Sequence, residues 1–210
     1  MTEFIFVRHG ITRGLEERIL HGGTESPLSE LGVKQAQLTA KSLAGCGADK
    51  LYSSPLSRAL DTAKAIGQAA GLEPVALDGL REMHFGRLEG MRDPWPWIRK
   101  RWLLVRLYTG LRMLISQFTG EKPQHFKKRI IRTWHELRQA APEGRVIVVG
   151  HYNVLRTILK DIFRDGQMDP KKLILLPCSI SQVAFKPDGQ AEAIRINDIS
   201  HLNGSVSHGH

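Results

Sequence analysis

Phe4-Ile5-Phe6-Val7-Arg8-His9-Gly10 is the stretch whose reading decides the fold. Its four consecutive apolar residues, rich in β-branched and aromatic side chains, are too few for a helix and read as a buried parallel strand. Arg8, His9 and Gly10 fall where that strand ends. Ligands of open α/β sheets sit at the carboxyl ends of the strands, so a guanidinium, an imidazole and a permissive glycine at that point suggest anion binding. A second stretch has the same layout: Val146-Ile147-Val148-Val149 runs into Gly150-His151. If the two strands are neighbours, both imidazoles reach one pocket.

Outward from the first strand, Ile11 to Pro27 holds Gly14, Gly22 and Gly23 and little periodicity, so it reads as a loop over the sheet edge. Such loops carry binding contacts. Thr12 is a candidate contact; a hydroxyl satisfying local backbone is the other reading. Ser29-Glu30-Leu31-Gly32 opens a helix to about Ala44, with Gly45 as its stop. Lys50 to Ser53 is a second strand, after which Ser54 fits an N-cap and Pro55 the first position of a helix to Ala70. Leu56, Ala59, Leu60, Ala63 and Ile66 recur at helical spacing, which leaves Arg58 in the first turn, near the strand end and the positive end of the helix dipole. From spacing alone, a surface pair with Asp61 is the better account of Arg58.

Pro74 to Leu77 reads as a third strand, followed by Leu80-Arg81-Glu82-Met83. A carboxylate buried between apolar residues has a raised pKa, as a general acid near neutral pH requires; a surface pair with Arg81 is the alternative for Glu82. Glu89 reads as structuring a turn with Phe85, Gly86 and Gly90. Beyond Gly150, Asn153 to Phe163 is a helix with Val154, Leu155, Ile158, Leu159 and Ile162 on one stripe. Leu173 to Leu176, Ser179 to Phe185 and Glu192 to Ile196 read as strands, with a turn at Pro187-Asp188-Gly189. The last residues, with His201, His208 and His210, read as a frayed tail.

The chain has 210 residues and no Ser/Gly- or Pro-rich linker, so one domain over 1–210 is expected. Met1-Thr2-Glu3 leads straight into a strand, which predicts no signal peptide, and no long apolar run lacks charge. Cys46 and Cys178 have neither disulfide-framework nor metal-ligand spacing and read as reduced thiols in a cytoplasmic setting. Thirty Lys and Arg against 21 Asp and Glu leave a net charge of +9, which favours anionic partners such as phosphorylated metabolites, nucleic acid or an acidic membrane surface. No Cys/His finger or aromatic RNA-binding strand is present, so specific nucleic-acid binding is not expected. Residues 92–132 hold Trp95, Trp97, Trp102 and a run of Lys and Arg against only Asp93 and Glu121. The basic and apolar residues of Arg99 to Phe118 do not separate onto clean helical faces. Peripheral contact with an anionic membrane is therefore one expectation, and packing on the chain's own domain or on a second copy in a homodimer is the other.

Arg8-His9-Gly10, the run Ser53-Ser54-Pro55-Leu56-Ser57-Arg58-Ala59, the run Leu80 to Gly86 with Glu89-Gly90, and Val149-Gly150-His151 stand in an order and spacing that resembles the histidine phosphatase superfamily, the phosphoglycerate mutase-like proteins. The resemblance implies an α/β three-layer sandwich: a mostly parallel central sheet flanked by helices, with a helical cap inserted over the active site at about 92–132. It implies a phosphohistidine enzyme with His9 as nucleophile, Arg8, Gly10, Arg58 and His151 around the phosphate, and Glu82 as proton donor. Thr12 and Gly22 match family positions. His151 would add a cation if protonated, and no metal or cofactor is implied. Where the family carries a Glu and, further on, an Asn that touches the phosphate, this chain has Ile11 and Leu15. Arg81 to Gly90 resembles the small phosphatases, including the α-ribazole phosphate phosphatases. The expected activity is hydrolysis of a small phosphorylated metabolite. A phosphoglycerate-type mutase, or a non-catalytic module docking on an anionic surface, are the alternatives.

Overall fold

The computed structural model describes residues 1–92, 110–111, 119–164, 173–202 and 204. Its strands are β1 (Thr2–Arg8), β2 (Lys50–Ser53), β3 (Val75–Ala76), β4 (Gly144–Gly150), β5 (Ile180–Phe185) and β6 (Ala191–Asp198). They form a six-stranded sheet in the order β3-β2-β4-β1-β5-β6. The first four run parallel to one another, while β5 pairs antiparallel with both β1 and β6. The register sets Arg8 opposite Gly150, so the carboxyl ends of β1 and β4 lie side by side.

Because successive side chains of a strand point to opposite faces, the apolar runs of β1 and β4 must be covered on both. The helices are α1 (Arg13–Glu16), α2 (Glu30–Leu43), α3 (Ser57–Ala70), α4 (Pro123–Ala140) and α5 (Tyr152–Ile162). Ile5, Val7, Ile147 and Val149 pack with Ala40 and Leu43 of α2 and Ala59, Ala63 and Ile66 of α3. On the other face Phe4, Phe6, Val146 and Val148 meet α4 and α5. Trp134 of α4 is the anchor there, edge-on to Phe4 at 4.7 Å and to Phe6 at 5.7 Å. The result is the three-layer α/β sandwich that the resemblance implies, with the β1 and β4 runs buried as read.

Several local expectations shift. α3 begins at Ser57 with Leu56 as its N-cap, and Ser54 instead receives the Leu56 N–H in the turn before it. Leu173 to Leu176 is irregular rather than a strand. Its backbone is satisfied by side chains: Leu175 O accepts from Arg8, Leu173 O from Arg156, and Leu176 N donates to Asn197 Oδ1. The 11–27 loop contains α1, capped by Thr12. Residues 123–132, expected within a cap, belong to α4, whose Phe126 and Ile130 are buried against the sheet. The rest of the expected cap, with Trp95, Trp97, Trp102 and the Arg99 to Phe118 stretch, lies outside the described residues except at 92, 110–111 and 119–122, as do His208 and His210. Among the described residues no helix is long and apolar enough to cross a membrane.

Candidate active site

The parallel pairing of β1 and β4 delivers His9 and His151 to one place, with ring centroids 5.1 Å apart and an interplanar angle of 61°. His9 Nδ1 is 2.7 Å from Gly10 O. A carbonyl only accepts, so Nδ1 carries the proton and Nε2 of the neutral ring keeps its lone pair. Burial, and then the charges of Arg58 and Arg8, hold the His9 pKa well below its ordinary value. Gly10 donates its N–H to Thr62 Oγ1 at 3.2 Å. A Cβ at Gly10 would lie 2.6 Å from Gly32 O, in the first turn of α2, so only glycine permits this approach. Gly10 therefore orients the His9 ring through its carbonyl, and its N–H is already engaged by Thr62.

Arg58 is 1% exposed although it carries a full charge. Its guanidinium is held on three sides: Nη2 donates to Gly22 O at 2.6 Å, Nη1 to Thr24 O at 2.9 Å, and Nε to His151 Nδ1 at 3.3 Å. A guanidinium has no acceptor, so His151 Nδ1 must be the unprotonated nitrogen. The proton is on Nε2, which donates to Ser54 Oγ at 2.8 Å. Burial, then His9 and Arg58, push the His151 pKa far down. The condition under which His151 would add a cation is therefore not met here: the ring is neutral, fully buried, and has both nitrogens engaged by Arg58 and Ser54. Gly22 likewise acts through Arg58. A Cβ at Gly22 would sit 1.9 Å from Met83 O.

The loop carrying Gly22 and Thr24 is itself clamped. Glu89 Oε1 accepts from Gly23 N at 2.9 Å and Phe85 N at 2.7 Å, and Oε2 accepts from Thr24 N at 3.0 Å. Burial alone would raise the Glu89 pKa, but these N–H groups and the nearby His84 bring it below the usual carboxylate range. The turn-structuring reading of Glu89 acquires a target: the loop it ties down is the one that grips Arg58.

Glu82 is 7% exposed. Burial raises its pKa, against the pull of the Met83 and Asn153 N–H groups and of Arg58 and Arg8. Glu82 Oε1 accepts from Met83 N at 2.8 Å, and Oε2 from Asn153 N at 3.1 Å. The latter is one of the first-turn donors of α5, which have no partner within the helix. Arg8 donates from Nη1 to Leu175 O at 2.6 Å, and its guanidinium carbon lies 5.3 Å from the Tyr152 ring centre. Burial lowers its pKa to about 10, so it stays charged at neutral pH. Its Nε is buried with no hydrogen-bond partner, an unmet donor beside His9 and Arg58.

These groups border a cavity of about 390 Å³. Arg8, His9, Thr12, Arg58 and Glu82 line it; Gly10, Gly22 and His151 support it from behind. Thr12 spends its hydroxyl locally, accepting from Leu15 N at 3.1 Å and lying 2.9 Å from His21 Nε2. Sequence reading missed His21, Tyr152, Asn153 and the Ser54 contact to His151. Tyr152 and Asn153 follow His151 at a helix start, which was a usable signal; His21 had none in its own loop.

The pattern of the histidine phosphatase superfamily (branch 1) matches residues 4–199. The probable phosphoglycerate mutase GpmB of Yersinia pestis (strain Pestoides F) is 29% identical over 194 residues, covering 89% of this chain and 86% of that protein. Among solved structures, YhfR of Bacillus stearothermophilus superposes with a TM-score of 0.77 at 23% identity, over 96% of this chain and 100% of that one. The phosphoserine phosphatase of Entamoeba histolytica in complex with 3-phosphoglyceric acid gives a TM-score of 0.74 at 25% identity, over 96% and 100%. The alpha-ribazole phosphatase of Shigella flexneri gives 0.77 at 22%, over 93% and 96%. The mixed sheet with helices on both faces is the fold these proteins share.

Proposed function

This chain belongs to the histidine phosphatase superfamily, and on that premise we propose that it hydrolyses phosphomonoesters through a phosphohistidine formed on His9. The observation that carries the reading is the His9 ring itself: neutral, its Nδ1–H fixed on Gly10 O, its Nε2 lone pair beside two buried guanidiniums. A phosphate dianion resists attack because of its own negative charge, which Arg8 and Arg58 offset with planar, permanently charged donors. Nε2 attacks phosphorus as the bond to the alcohol oxygen breaks, and the Glu82 carboxyl gives that oxygen its proton. The Nδ1–H bond to Gly10 O stabilises the positive charge the ring acquires. In the second half Glu82, now a carboxylate, takes a proton from water as the water oxygen attacks phosphorus and the N–P bond breaks. Alcohol and inorganic phosphate leave, and Glu82 is again protonated. His151 acts as the neutral support that aims Arg58.

A mutase is the second reading, favoured by the name of the Yersinia relative. It would have to hold a second anionic group of the substrate while the phosphate is handed back. Among the described residues, Arg8 and Arg58 are the only permanently charged cations lining the cavity, and both face the phosphate position. That supports hydrolysis.

The test is to incubate the protein with labelled phosphomonoester, quench in base and seek acid-labile label. Label is expected on His9; label that persists in His9→Ala overturns the nucleophile. Phosphate release is followed beside conversion of 3- to 2-phosphoglycerate. Rapid isomerisation with negligible phosphate release overturns hydrolysis.

A further inference from the structure

Among the described residues, the permanently charged cations that line the cavity, Arg8 and Arg58, stand at one end of it beside His9. The cavity volume of about 390 Å³ is that of a small-ligand pocket, far more than a phosphate group occupies. Away from Arg8, Arg58 and His9 the described lining is mostly apolar: Leu15 at the end of α1, Ile19 and Leu20 in the loop after it, Phe85, and the ring of Tyr152 in the first turn of α5. All of these are half-buried and border the cavity, the Tyr152 ring packing on the core as well. Contiguous exposed apolar surface around a polar focus marks a binding site.

Thr12, His21 and Glu82, interspersed with them, are already engaged, and the Tyr152 hydroxyl and Asn153 amide that also border the cavity are uncharged. Thr12 Oγ1 caps α1 and contacts His21. Burial, and then the Arg58 charge, lower the His21 pKa to about 4, so its ring adds no positive charge at neutral pH. Glu82 Oε1 and Oε2 hold Met83 N and Asn153 N. Among the described residues, a carboxylate or a second phosphate placed against Leu15 and Leu20 would lose water without gaining a charged partner there.

We propose that the alcohol half of the substrate is an uncharged apolar chain or ring, seated against Leu15, Leu20, Phe85 and Tyr152, and that Leu15 and Leu20 set this specificity. The inference rests on the proposed function only for the location of the phosphate.

The test uses the n-alkyl phosphonates from methyl to hexyl, which cannot be hydrolysed, with binding to the whole chain read by calorimetry. Each added methylene is expected to tighten binding by about two- to fourfold until the wall is covered. In Leu15→Asn and Leu20→Asn the increment per methylene shrinks toward one. That increment is a ratio measured within one variant, so it does not depend on how much of the variant is folded. A series flat with chain length, absence of binding, or tighter binding of 2-carboxyethylphosphonate than of propylphosphonate overturns the assignment. The matching n-alkyl phosphates separate the two readings, because their alcohols are nearly equal leaving groups. A chain-length slope in binding without hydrolysis of any ester upholds the apolar wall and sinks hydrolysis; hydrolysis at a rate indifferent to chain length does the reverse.

Discussion

Arg58 Nε donates to His151 Nδ1 across 3.3 Å, and that single contact makes His151 an acceptor and therefore neutral. The ring is better described as a strut for the guanidinium than as a cation of its own. His151→Ala is expected to lower kcat/KM by about 10²-fold, the scale on which misplaced binding groups act. His151→Gln, whose amide oxygen can accept from Arg58 while its NH₂ reaches Ser54, should retain more activity than His151→Lys, which sets a like charge beside Arg58. Lys matching or exceeding Gln would show that positive charge was the requirement after all.

Glu82 carries the pH dependence. Burial raises its pKa, so the protonated form that a general acid needs persists toward neutral pH and disappears as pH rises through the raised value. The kcat/KM for alkyl phosphates should therefore fall on the alkaline side. Glu82→Gln should remove that limb and cost about 10²–10⁴-fold on alkyl esters, but much less on aryl phosphates whose leaving groups need no proton. Equal losses on both ester types would exclude Glu82 as the acid.

The residues that were legible in the sequence are those whose role follows from where a strand ends. Arg8, His9 and His151 are fixed by two apolar runs, and the pairing of those runs brings the imidazoles together. What the sequence did not carry is set by long-range contact. The charge state of His151 depends on a guanidinium 93 positions away. Leu173 to Leu176 has strand composition, yet its backbone is met by Arg8, Arg156 and Asn197, partners no local pattern announces. Trp134, read with neither core nor site, proves to be the hub of one sheet face, on a helix α4 that begins at Pro123, inside the stretch where the family resemblance implied a cap.

Buried neutral histidines tie stability to pH. The pKa values of His9, His21 and His151 are all lowered on folding, His21 to about 4, from an ordinary value of 6.5. The unfolded chain then binds more protons below about 6.5, so the contribution of these rings is present above that pH and lost as pH falls toward the folded values. Glu82 has the opposite sign, its contribution being lost as pH rises through its raised pKa. With these three rings and His201, whose pKa burial also lowers, against the one raised carboxyl, the urea midpoint should drop from pH 7 to pH 4.5. His21→Gln should lessen the drop. A midpoint constant over that range would mean these rings protonate in the folded state.

Glu89 reaches the phosphate site at second hand. Its two oxygens take the N–H groups of Gly23, Thr24 and Phe85, and the carbonyls of Gly22 and Thr24 in the same loop hold Arg58. Glu89→Ala leaves those N–H groups without their acceptor and is expected to destabilise the protein by about 2–3 kcal/mol. A loss of stability alone would not distinguish a positioning role from simple support. Trp134→Ala supplies the comparison: it empties the core around Phe4 and Phe6, at an expected cost of about 3–5 kcal/mol, without touching the loop that holds Arg58. Measured well below either unfolding transition, binding of inorganic phosphate should weaken about tenfold in Glu89→Ala, within the range for a displaced binding group, and stay at the wild-type level in Trp134→Ala. Equal phosphate affinity in the two variants would mean that Gly22, Thr24 and His151 keep their hold on Arg58 without the Glu89 clamp, which then serves only the loop.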